Sequence, residues 1–141
     1  ANDNGQLPIH FAMQYKNLTV IDYLLGFCPE SASKSNMTGE LLLHLAVRDH
    51  SLALIDRLLK MYPEAASMIT SRGMNILHCA MARHGKEGVE IASYIFTRFP
   101  NLLHERNGRI PNEHYGRNNS GYTPFLLALA NSNFKVATAL C

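Results

Sequence analysis

The 141-residue sequence contains no apolar run near the roughly 18 residues that a membrane-spanning helix needs. Its longest apolar stretches, 41–47 and 125–130, have the length of core helix segments. No basic patch followed by an apolar stretch opens the chain, so no signal peptide is visible. Charge of one sign is also lacking. Thirteen Lys and Arg stand against eleven Asp and Glu, for a net charge of +2, which leaves no basic footprint for nucleic acid. The three cysteines are an odd number without C-x-x-C spacing, which speaks against both a disulfide framework and a zinc ribbon. Cys28, Cys79 and Cys141 are instead expected as small buried hydrophobes. The missing disulfide pattern favours a reducing compartment, and the chain is expected to be intracellular, in the cytoplasm.

Enzyme signatures are missing as well. His104-Glu105-Arg106 does not continue to H-E-x-x-H, and Gly85-Lys86-Glu87-Gly88 is neither a P-loop nor a dinucleotide fingerprint. No serine or cysteine stands in a nucleophile motif. The expectation is a chain without catalytic residues, cofactor, metal or small-molecule substrate.

What is present is a repeat. Gly5-Gln6-Leu7-Pro8-Ile9-His10-Phe11-Ala12 returns as Gly39-Glu40-Leu41-Leu42-Leu43-His44-Leu45-Ala46 and as Gly73-Met74-Asn75-Ile76-Leu77-His78-Cys79-Ala80, each 34 residues after the last. A fourth copy, Gly121-Tyr122-Thr123-Pro124-Phe125-Leu126-Leu127-Ala128, follows after 48. A fixed period in this range means stacked supersecondary units rather than one globular core. Gly5, Gly39, Gly73 and Gly121 suit the positive φ that a tight turn needs. Pro8 suits the first turn of a helix. Ile9, Ala12 and Met13 mark a short inner helix, and Leu18, Ile21, Leu24 and Leu25 a longer outer one, closed by Pro29. Leu42, Leu43, Ala46 and Val47 with Leu52, Ile55, Leu58 and Leu59 repeat the scheme. The third unit carries three extra residues, placed at the inter-helix turn 84–88, with Val89, Ile91, Ile95 and Phe96 on the outer helix. An 11-residue insertion falls within 104–119; it is polar and shows no helical or strand period, so a long loop or extended finger is expected.

These phased motifs resemble the ankyrin repeat. The resemblance covers nearly the whole chain and implies an all-α solenoid of about four helix–turn–helix units with short hairpin fingers. The expected organisation is a single domain over 1–141, with repeats at about 2–35, 36–69, 70–117 and an incomplete 118–141. The sequence lacks an initiator Met, opens at a repeat start and closes inside an expected outer helix, and on this reading it is a piece of a longer array.

Histidines invite a metal reading, but His10, His44 and His78 occupy one slot in successive units. Stacked helices lie about 8–10 Å apart, whereas zinc needs each ligand within roughly 2.1 Å. The resemblance implies that these histidines hydrogen-bond within and between units. It also implies a protein-binding concave face built from finger tips and inner-helix ends. Mapped onto this chain, that face holds Tyr15, Met37, Arg48, Asp49, Arg72, Arg83 and Tyr122, with Arg106, Arg109 and Arg117 on the insertion. Arginine and tyrosine are enriched in interface hot spots, and the arginines are expected to meet acidic groups. The expected function is a non-catalytic scaffold for another protein. A structural spacer in a larger assembly, or the regulatory or targeting portion of a longer protein, are the alternatives.

Overall fold

Glycine and proline divide the chain into its elements. The computed structural model describes Asp3 and residues 5–104. The expectations for Arg106, Arg109, Arg117, Gly121, Tyr122, Cys141 and the fourth repeat lie outside the described residues. The chain forms two compact units, residues 1–66 and 67–141.

The first unit holds two repeats. Inner helix α1 (Pro8–Gln14) starts on Pro8, whose missing N–H costs nothing at this position. A turn over Tyr15, Lys16 and Asn17 leads to outer helix α2 (Leu18–Phe27), with Lys16 in the left-handed region at φ 54°. Asn17 caps α2 by accepting the Val20 N–H at 3.2 Å. Inner helix α3 (Leu42–Asp49) and outer helix α4 (Leu52–Met61) repeat the pair. In each repeat the inner helix packs on its outer partner; α3 also packs on α1, and both α3 and α4 pack on the turn that follows α2. Ile9, Ala12, Met13, Ile21, Leu25, Ile55, Leu58 and Leu59 are buried. Each full-sized aliphatic among them contributes about 1.5–3 kcal/mol. Ala12 and Ala46 are buried where a larger side chain would hold the helices apart.

The described part of the second unit holds inner helix α5 (Ile76–Met81) and outer helix α6 (Lys86–Arg98), which pack on each other around Ile76, Leu77, Ala80, Ile91, Ala92 and Ile95. Among the described residues there is no β-strand; the architecture is all-α, as the repeat predicts.

Three expectations are corrected. The three extra residues of the third repeat do not lengthen a turn. They lengthen the outer helix, which has 13 residues in α6 against 10 in α2 and α4. Gly85, at φ 89°, turns the chain into it. Gly88 is buried in its first turn, where a Cβ would sit 2.2 Å from the Arg83 carbonyl oxygen. Leu18 does not join the outer stripe but stays exposed. Cys28 and Cys79 are half-buried rather than core. The Pro-led exits Pro29–Ser33, Pro63–Ser67 and Pro100–His104 form 3-10 turns. Cys28, Tyr62 and Phe99 precede them, each in non-helical backbone that proline on the next residue favours.

Candidate partner-binding face

The finger tips are built from one short polar residue and one glycine. In the second repeat the Asn36 N–H donates to the Glu40 carbonyl at 3.1 Å, and the Gly39 N–H to the Asn36 carbonyl at 3.0 Å. The Asn36 Oδ1 accepts the N–H groups of Thr38 at 3.0 Å and Glu40 at 2.9 Å, an Asx turn. The third repeat uses Thr70 in the same place. Its N–H donates to Met74 at 3.0 Å, and its hydroxyl oxygen accepts from Arg72 at 3.3 Å and Met74 at 3.2 Å. Gly5, Gly39 and Gly73 have φ of 64°, 69° and 70°, which makes them the structural glycines the motif predicts. A Cβ on Gly5 would also meet Met37 Cγ at 2.9 Å.

The three slot histidines tie each finger to its inner helix. Their Nδ1 atoms accept the N–H of Leu7 at 2.9 Å, Leu41 at 3.2 Å and Asn75 at 3.3 Å, the residue three places earlier in each case. Leucine cannot accept in return, so the histidine N–H bonds to the Leu7 and Leu41 carbonyls instead. Only Asn75 completes the reciprocal cap, accepting the His78 N–H at 3.0 Å. Burial pushes the His10 pKa below its ordinary value, against the opposing pull of the Lys34 carbonyl and the Glu40 charge. Its Nε2 is fully buried and makes no hydrogen bond to the described protein. His50 is buried, and its Nε2 lies 2.7 Å from the Met13 carbonyl oxygen of the preceding repeat. No motif marks it, because its partner lies 37 residues away.

The expected contact residues of the first unit gather at the second finger and the C-terminal ends of α1 and α3. Tyr15 is 80% exposed at the end of α1, and Asp49 holds the equivalent place on α3. Met37 is exposed on the finger. The Arg48 Nη1 donates to Glu40 at 2.9 Å, and its Nε to Asp49 at 2.8 Å, which links helix end to finger. Glu40 in turn accepts from Asn36 Nδ2 at 3.1 Å and lies within 2.9 Å of the Thr38 hydroxyl. Burial raises its pKa, but hydrogen bonds from Asn36 and Thr38 and the charges of Arg48 and His44 outweigh that and hold the carboxyl below its usual range. Sequence reasoning missed this support; the Asn-x-Thr-Gly spelling at 36–39 was the signal for it.

In the second unit Arg72 is exposed at its finger tip. The Arg83 side chain is only 13% exposed, and its Nη2 pairs with Glu87 at 2.5 Å on the added turn of α6. No group of three or more His, Cys, Asp or Glu able to hold a metal occurs among the described residues. No described helix is long and apolar enough to cross a membrane.

No curated protein matches the chain. The family model of ankyrin repeats matches three copies over residues 9–101. Ankyrin repeats are in general protein–protein interaction modules and typically non-catalytic. That match spans more than half the chain and runs from the first inner helix through the third outer helix, so the chain belongs to the ankyrin-repeat family.

Proposed function

We propose that the chain is a non-catalytic binding module for another protein, and that an apolar segment of the partner seats on Tyr15 and Met37. The observation that carries this is the pairing of exposed apolar side chains with internally satisfied arginines. Arg48 is held by Glu40 and Asp49, and Arg83 by Glu87, so these charges orient the surface rather than wait for an acidic ligand. Tyr15 and Met37 are large, exposed and carried on ordered backbone, so docking on them costs little conformational entropy. Of the residues expected on this face, the reading rests on the two exposed apolar ones rather than on the paired arginines.

The test is crosslinking mass spectrometry on the native protein purified with its neighbours. Exposed Lys34 is the reporter for the first unit. Crosslinks from it to one dominant protein are expected. Tyr15→Ala with Met37→Ala is expected to weaken that complex at least about tenfold, the loss of one modest hot spot. Unchanged affinity in the double variant sinks the proposal. Crosslinks confined to the chain itself turn the reading to a spacer.

A further inference from the structure

The first repeat exposes the face that the second repeat buries. Both repeats have the same elements in the same register, 34 residues apart. Phe11 is 37% exposed on α1, whereas its equivalent on α3, Leu45, is 4% exposed. Val20 is 40% exposed on α2, and its equivalent on α4, Leu54, is 6%. Pro8 is exposed where Leu42 is fully buried. The second repeat packs through α3 and α4 on α1 and on the turn after α2; among the described residues of the first unit, no other element packs on the first repeat to that extent. The patch continues along α2 to Tyr23 and Phe27, both exposed, with rings stacked at a centroid distance of 6.3 Å and an interplanar angle of 5°. Residues 20, 23 and 27 lie on one side of a helix, and Ile21 and Leu25 on the buried side.

We infer that Phe11, Val20, Tyr23 and Phe27 form the stacking surface for a further helix–turn–helix repeat of the same polypeptide, seated on the first repeat as the first is seated on the second. An unmatched interface of a repeat array is ordinarily polar, because each unit contacts only its neighbours and the last one faces water. Here Phe11 and Val20 are apolar and of the size of Leu45 and Leu54 at the matched interface, and Tyr23 holds the place of Arg57, which reaches Asp22 of the preceding outer helix. Large apolar groups clustered on one face mark an interaction site rather than a solvated surface.

The test extends the 141-residue chain with a tandem copy of residues 2–35 joined before residue 2. That copy supplies the surface which already packs against α3 and α4. The extension is expected to raise the melting temperature by about 5 °C or more. Hydrogen exchange at α1 and α2 of the original first repeat is expected to slow. Phe11→Glu with Val20→Glu in that original repeat removes both effects, while the same pair in the unextended chain leaves its helical circular dichroism intact, since both side chains already face water. No gain on extension, or a gain that survives the glutamates, overturns the inference. Sedimentation equilibrium of the unextended chain supplies the other outcome: a dimer abolished by Tyr23→Glu with Phe27→Glu makes the occupant a second copy and likewise overturns it.

Discussion

Two helical glycines with opposite surroundings separate propensity from packing. Gly26 lies exposed in α2, with nothing within 4 Å of a Cβ added there. Gly26→Ala is expected to stabilise the protein by about 0.5–1 kcal/mol, the difference between the two residues in a helix. Gly88 has the same intrinsic preference, but a Cβ would sit 2.2 Å from the Arg83 carbonyl oxygen and 2.9 Å from its carbon. Backbone cannot step aside as a side chain can. Gly88→Ala is therefore expected to cost about 1–3 kcal/mol net, as overpacking does. Urea midpoints of the two variants check both signs, and a stabilised Gly88→Ala would show that the start of α6 shifts freely.

Among the elements, α5 depends most on one side chain. It has only six residues, too few to persist on propensity alone. Asn75, fully buried, caps it by accepting the His78 N–H at 3.0 Å and donates from Nδ2 to the Leu102 carbonyl at 3.2 Å, which anchors the 3-10 turn Pro100–His104. Asn75→Ala loses the cap and leaves a buried carbonyl without that donor. A loss of about 2–3 kcal/mol is expected from the two terms together. Faster amide exchange should appear in both α5 and the 100–104 turn. Exchange confined to α5 would mean that the turn is held by Leu102 packing alone. The same position is leucine in the first two repeats, where histidine caps without help, so the motif does not announce the role.

At the scale of the whole molecule, stability follows pH in two separate windows. The folded pKa of His10 lies below the ordinary histidine value of 6.5, so the native state prefers the neutral ring. The unfolded chain binds the proton more readily, and this contribution is complete above 6.5 and lost as pH falls through the lowered folded value. The cap bond has the same sense, since protonating Nδ1 removes the acceptor of the Leu7 N–H. Glu40 acts lower down. Its folded pKa lies below 4.5, so its contribution is present above 4.5 and lost as pH drops through the folded value. Urea midpoints measured across pH are expected to fall first just below 6.5 and again below 4.5. His10→Gln should flatten the upper step and leave the lower one; an unaltered upper step would remove His10 as its source.

The sequence by itself determined the repeat, its all-α units and the three structural glycines, because period, turn chemistry and helical stripe are local properties that recur every 34 residues. It also located the slot histidines, whose cap partner lies three residues away. Tertiary structure decided what depends on distant neighbours. His50 meets the carbonyl of Met13, Asn75 that of Leu102, and Arg57 pairs with Asp22 on the preceding outer helix. It decided that Leu18 and Phe11 face water while Leu45 does not, since burial belongs to the position in the stack and not to the residue type. It turned three extra residues of the third repeat into helix, because Gly88 allows the close approach to Arg83. It also tied Arg48 to Glu40, a pairing that residue type alone cannot express because it arises only when the end of α3 is brought against its own finger.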